Sequence, residues 1–290
     1  MTYLTNEQIA KVAPSVFATE AYEGMSERYK FVPTINVVEL MKERGFLPVR
    51  AQQSQSRIPG KAEFTHHMIR FRQKDHHEMA VAAIAERSTH LHHVIKDIAL
   101  PEFPEIVLVN SHDGSSGYEL SAGLFRLVCC NGLVISSGDI DSIKIRHSAK
   151  SYDEFAEKII EGTYRILEDT PKVMNQIEQW KNIDLTEDQQ IRFAQAANEL
   201  KPLPEAVNVE NLLNTHRYQD RKDNVTGKRD LYTTFNVIQE NMLRGGLRGR
   251  NLETRRRVST RAIKSVSEDI RLNKALWVLS GDIAEAKLAA

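Results

Sequence analysis

The chain has 290 residues, 41% of them apolar and 27% charged, and its 39 basic side chains balance 39 acidic ones. This is the composition of a soluble globular protein with room for a sizeable core, and zero formal charge excludes any whole-molecule field that would argue for a polyanion or against one. No run reaches the roughly 18 apolar residues that span a bilayer. The start, MTYLTNEQIAKVAPS, lacks the basic and then apolar pattern of a signal peptide. The two cysteines, Cys129 and Cys130, are adjacent. No disulfide framework is implied, and a reducing cytoplasm is the expected location.

Residues 6–12 read as a helix. Thr34 reads as an N-cap and Gly45 as the residue past a C-terminus, bracketing a helix whose apolar face is Val37, Val38, Leu40 and Met41. Residues 47–57 and 63–72 are extended candidates on either side of the turn signal Ile58-Pro59-Gly60. In the second, Phe64, His66, Met68, Arg70 and Arg72 share one face, and Thr65, His67, Ile69 and Phe71 share the other. Residues 76–100 are ambiguous. The clearest β region is 105–136, EIVLVNSHDGSSGYELSAGLFRLVCCNGLVIS, two apolar strands about the Asp113-Gly114 turn, with Asn131-Gly132 as a second turn. Residues 142–148 alternate again. Beyond Tyr152 the period becomes helical, over 153–167, 184–200, 207–216, 231–243 and 258–279, with a break at Pro202 and Pro204. The pattern predicts an α+β protein with an antiparallel sheet in the N-terminal half and a largely helical C-terminal half. Residues 1–150 and 151–290 are read as parts of one continuous domain.

Charge is uneven along the chain. Residues 150–212 carry 13 acidic and 7 basic side chains, a balance of −6, whereas residues 217–264 carry 13 basic and 5 acidic, a balance of +8. The basic stretch centres on Arg244, Arg248, Arg250, Arg255, Arg256 and Arg257, interleaved with glycines. Arginines neutralise phosphates and stack on bases, and glycines let backbone approach a phosphodiester chain. The bland reading is a solvated face, or one that pairs with the acidic helices. The strand face with Arg70 and Arg72 offers a second cationic row, which an edge strand would also carry simply to block aggregation.

Seven of the ten histidines lie between His66 and His93, and a helix there would align Glu86, His90, His93 and Asp97. That spacing suits a divalent metal but lacks a fixed motif. His112-Asp113 and Cys129 could form a catalytic pair, although Asn110 and Asp113 are equally turn formers and Cys130 a small core residue. Arg126, inside an apolar strand, must find a partner or a ligand.

NSHDGSSGY followed by LFRLVCCNGLVIS resembles a phage- and plasmid-borne family of unknown function, domain of unknown function nine-three-two. The resemblance runs on through Ile145–Ser148 and into TTFNVIQEN near Tyr232–Asn241. It implies a mobile-element setting, phage, prophage or plasmid, and no catalytic residue. The element order also looks like that of ring-forming single-strand annealing proteins, a likeness of fold only.

The leading expectation is therefore a nucleic-acid-binding protein of a mobile element. It would bind or anneal single-stranded DNA along Arg70, Arg72, Arg244, Arg248, Arg250 and Arg255–Arg257, with Tyr232, Phe235 or Phe64 as stacking surfaces. Nucleic acid is the expected partner, with no cofactor, no metal and no membrane, and with room for a homo-oligomer. The alternatives are a metal-dependent hydrolase using residues 76–97, a Cys/His catalyst, and a protein-binding anti-defence module.

Overall fold

A computed structural model of the chain describes residues 3–26, 29–79, 82, 102–126, 131–135, 142–147, 151–216, 220–251 and 253–289. The fold is α+β, with an antiparallel sheet in the N-terminal half and helices dominating the C-terminal half. Two compact units form, Met1–Thr170 with Lys264–Ser267, and Pro171–Ile263 with Glu268–Ala290. The sequence pattern changes near residue 150, whereas the units part at Thr170, inside a long helix. No helix among the described residues is long and apolar enough to cross a membrane.

In the first unit, helix α1 (Asn6–Val12) opens with a capping box in which Thr5 Oγ1 accepts from Gln8 N and Gln8 Oε1 accepts from Thr5 N. Helix α2 spans Thr34–Glu43, and Gly45 takes the left-handed φ of 82° that ends it. The expected N-cap is corrected by one residue. Pro33 holds that position and Thr34 is the first helical residue, its hydroxyl turned into the core. Strands β1 (Phe46–Gln53), β2 (His67–Gln73), β3 (Glu102–Asn110), β4 (Tyr118–Arg126) and β5 (Asn131–Val134) follow one another across the sheet, and β6 (Ile143–Ile145) pairs with β4. Strand β2 lies between β1 and β3 and is buried from His67 to Arg72. Its alternation therefore separates two interiors rather than an interior and a solvent face.

The β3–β4 hairpin has the expected turn. Gly114 adopts φ 74°, and Asp113 Oδ1 accepts from Ser115 N at 3.0 Å. Arg126 stands opposite Glu102 in the ladder, a cross-strand pairing of opposite charges. Residues 74–79 are helical; Glu86, His90, His92, His93, Asp97, Cys129 and Cys130 lie outside the described residues.

The helix Tyr152–Lys181 (α3) runs from the first unit into the second. Helix α4 (Glu187–Leu200) begins at a second capping box, Thr186 with Gln189, preceded by a two-residue strand β7 (Asp184–Leu185) paired with β8 (Arg229–Asp230). The helix expected over 207–216 is only a short 3-10 turn, Val209–Leu213. Helix α5 (Leu231–Arg244) is capped by Asp230 Oδ1, which accepts from Thr233 N at 2.7 Å. Trp180, Phe235 and Trp277 form the aromatic centre of this unit, with the two indoles 4.4 Å apart.

Strands β9 (Arg248–Arg250) and β10 (Arg257–Ser259) make a hairpin, and helix α6 (Val266–Leu288) follows. The expected helix start at 258 is thus corrected. Val258 pairs with Gly249, and Gly246 N and Thr260 N bond to Thr260 O and Leu247 O at 2.9 Å. Strand pairing claims residues that period alone would give to the helix.

Candidate functional site

The two cationic rows read from the sequence have opposite fates. Arg70 and Arg72 are each 2% exposed. Arg70 Nε donates to Glu105 Oε2 at 2.5 Å and Arg72 Nη2 to Glu105 Oε1 at 2.6 Å. Arg70 Nη2 also donates to Leu133 O at 2.8 Å, and the Arg72 guanidinium lies 4.1 Å from the centroid of Phe125. Gly123, opposite Glu105 in register, leaves room for this: a Cβ there would come within 2.9 Å of Arg70 Nη2. Neither guanidinium can reach a phosphate, so the expected sheet platform is corrected to a buried ion triad within the sheet. Tyr232 and Phe235 are buried beside Trp180 and Trp277, so they are not stacking surfaces either. Phe64 packs against Tyr22, ring centroids 5.4 Å apart.

The Arg/Gly segment is exposed, and it is ordered rather than a loose loop. Arg248, Arg250, Arg255, Arg256, Arg257 and Arg261 are all exposed, and none has a carboxylate partner among the described residues. Arg244 differs, since it is half exposed and bonds Glu240 at 2.9 Å. Arg250 stands directly opposite Arg257 across the two strands, an unfavourable like-charge pair. Arg255 has φ 58°, the one positive value at a non-glycine among the described residues. The turn is held by Asn251 Oδ1, which accepts from Thr254 N at 2.7 Å, and by Arg250 Nε donating to Arg255 O at 3.0 Å. Gly245 and Gly249 approach the protein's own backbone. A Cβ on Gly249 would lie 1.7 Å from Ala206 O, and Arg250 N donates to that same carbonyl at 3.1 Å.

A third constellation was not legible in the sequence. Thr34 Oγ1 lies 2.9 Å from His67 Nε2, 3.0 Å from His112 Nε2 and 3.1 Å from Tyr118 OH, and accepts from Asn110 Nδ2 at 3.0 Å. Ser15 Oγ is 2.8 Å from His67 Nδ1, and His147 Nε2 is 2.9 Å from Asn110 Oδ1. A hydroxyl donates once and accepts twice. Tyr118 OH donates to Val32 O at 2.9 Å and Asn110 takes one acceptor position of Thr34, so at most one imidazole donates to Thr34, whose single proton goes to the other imidazole or to the Tyr118 oxygen. The assignment that strands no buried N–H has His67 protonated at Nδ1, toward Ser15, and His112 protonated at Nε2. His112 Nδ1 is then a bare ring nitrogen without a partner.

Burial holds these histidines neutral. The pKa of His67 is lowered to about 3 and that of His112 to about 4, each chiefly by desolvation and then by a neighbouring histidine. His147 is lowered by the same burial, partly offset by the Lys30 carbonyl. Ser15, Thr34, His67 and His112 have no exposed surface, so no substrate reaches a Ser–His pair here. The network ties the 3-10 turn Pro14–Phe17, helix α2 and strands β2, β3 and β4 together. Among the described residues no group of three or more His, Cys, Asp and Glu side chains is arranged to hold a metal ion.

Comparison with known proteins adds the family. The family model described as Domain of unknown function (DUF932) matches residues 21–277, which takes in the sheet, the histidine network and the arginine hairpin. Two proteins of Escherichia coli (strain K12), UPF0380 protein YafZ and UPF0380 protein YfjQ, are 34% and 33% identical to this chain over 283 residues, covering 96% of it and 90% of each of them. No solved structure matches. On the extent of the model match and of both relatives, the chain belongs to the DUF932 family of proteins of unknown function.

Proposed function

We propose that the protein binds nucleic acid, single-stranded DNA in the first place, through the β9–β10 hairpin, in the setting of a phage, prophage or plasmid. One observation carries this reading: six exposed guanidiniums between Arg248 and Arg261 lack a carboxylate partner among the described residues. Two of them face each other across a ladder. A surface that merely needed solubility would balance these charges with acids, whereas residues 248–261 carry Glu253 alone against six arginines. A surface that waits for a polyanion carries this repulsion until phosphates neutralise it. The described part of the hairpin bears no aromatic ring, so its contacts are to backbone phosphates, and binding is tolerant of sequence.

The test is fluorescence anisotropy of a labelled deoxythymidine oligomer at low salt, with the wild-type chain and with Arg255, Arg256 and Arg257 all changed to Ala. All three side chains point to solvent, so folding should be unchanged. Wild-type binding together with a fall of at least roughly a hundredfold in the variant is expected, three phosphate contacts being lost. No wild-type binding, or equal binding by both proteins, would sink the reading.

A further inference from the structure

A second cationic site lies entirely within the first unit, and it owes nothing to the hairpin. Edge strand β6 and helix α3 enclose a cleft of about 450 Å³ whose rim carries Lys144, Arg146, Lys158 and Arg165, against the single carboxylate of Glu161. Lys158, Gly162 and Arg165 fall at i, i+4 and i+7, one face of the helix. Gly162 lets that face settle on the sheet, since a Cβ there would lie 3.0 Å from Leu120 Cδ1 and 3.2 Å from Ile143 Cδ1. The helix thus meets the face of β6 that carries Ile143 and Ile145, so Lys144 lies with Glu119 on the other face, and Arg146 follows just past the strand's end. Lys158 pairs with Glu154 at 2.6 Å, and Lys144 stands opposite Glu119 in register. Arg146 and Arg165 are exposed and have no acidic partner among the described residues. Cations that only blunt an edge strand would point singly to water. Here Arg146 beside the strand and Lys158 and Arg165 on the helix line one open cleft from two elements.

A second cavity, about 360 Å³, adjoins the first and shares Arg146. Phe31, Tyr152 and Phe155 give it ring-bearing walls, and Asn36, Ser151 and His147 give it polar atoms. Both volumes fall in the range of small-molecule sites, mostly apolar with a few convergent polar groups. We propose that this pair of cavities is a nucleotide site: phosphoryl groups lie among Arg146, Lys158 and Arg165, and the ring enters the neighbouring space beside Phe31 and Tyr152. Arg146 stands at the junction and serves both, its planar fork suited to phosphate oxygens and its face to a ring. The nucleotide is either a free nucleoside triphosphate or the phosphorylated end of a strand.

The test uses the full chain and three probes: a fluorescent ATP analogue, inorganic tripolyphosphate as competitor, and a terminally phosphorylated deoxythymidine oligomer. Arg146→Gln with Arg165→Gln should weaken ATP binding by roughly tenfold or more, two charge-assisted contacts being lost. The Arg255–Arg257 triple variant should leave it unchanged, which separates this site from the hairpin. Tyr152→Ala should weaken ATP and spare tripolyphosphate. Equal thermal midpoints will establish that these surface variants fold. Binding of the phosphorylated oligomer in place of ATP, lost in the double variant, would support the site with a strand end as its occupant. Binding of neither probe, or a loss caused by the hairpin variant and not by the double variant, overturns the proposal. If Tyr152→Ala spares ATP, the placement of the ring is overturned.

Discussion

Replacing Glu105 with Ala should lower the free energy of unfolding by about 3–5 kcal/mol, because it leaves two guanidiniums buried without a counter-charge. Both are 2% exposed, and Glu105 binds one with each carboxylate oxygen. The triad joins β2 to β3, and Arg70 carries it on to the carbonyls of Leu124 and Leu133 in β4 and β5. Urea unfolding at neutral pH measures the loss. Apolar replacement of all three residues by side chains of similar volume should restore most of it, since a buried ion pair exchanged whole for packed hydrocarbon is often close to neutral. If Glu105→Ala unfolds at the wild-type urea concentration, the triad is not the bond across the sheet that its geometry describes.

The second large effect concerns acid. Unfolding free energy should fall by about 4 kcal/mol between about pH 7 and about pH 5, roughly 2 kcal/mol from each of two histidines. His67 and His112 take up protons near 6.5 when unfolded, but only near about 3 and about 4 when folded. Over that window the unfolded chain binds more protons, so stability is present above pH 6.5 and drains away as the pH falls. His66 and His77, also lowered by burial, act in the same direction. Asp113, lowered to about 2 by its bonds to Ser115, acts in a separate window, losing its contribution as the pH falls below the ordinary carboxylate value of 3.8. A denaturant series at fixed salt separates the two windows. Equal stability at the two ends of the upper window would mean that the imidazoles take up protons in the fold as readily as in the unfolded chain.

These two expectations rest on what no local pattern revealed. Helix α5 was predicted over 231–243 and spans Leu231–Arg244, because its period, its Asp230 cap and the glycines after it are all local signals. The Asp113-Gly114 turn was legible for the same reason. Arg70 and Arg72 looked like a solvent row because alternation shows only that a strand has two faces. That both faces are covered depends on Glu105, 35 and 33 residues away. Thr34 passed for an N-cap by its residue type, while its partners lie 33, 76, 78 and 84 residues distant. The arginine hairpin was visible because its charges are crowded into one stretch of chain. Its strands were not, since three-residue strands carry too little periodicity to compete with the helix that follows.

The salt dependence of single-strand binding tests the account most directly. For single strands the logarithm of the binding constant falls with the logarithm of salt concentration by about 0.7 for each phosphate neutralised. With the six arginines from Arg248 to Arg261 engaged the wild-type slope should be about −4, and removing Arg255, Arg256 and Arg257 should bring it to about −2. A wild-type slope near zero, or one that the triple substitution leaves unchanged, would contradict phosphate contact by the hairpin.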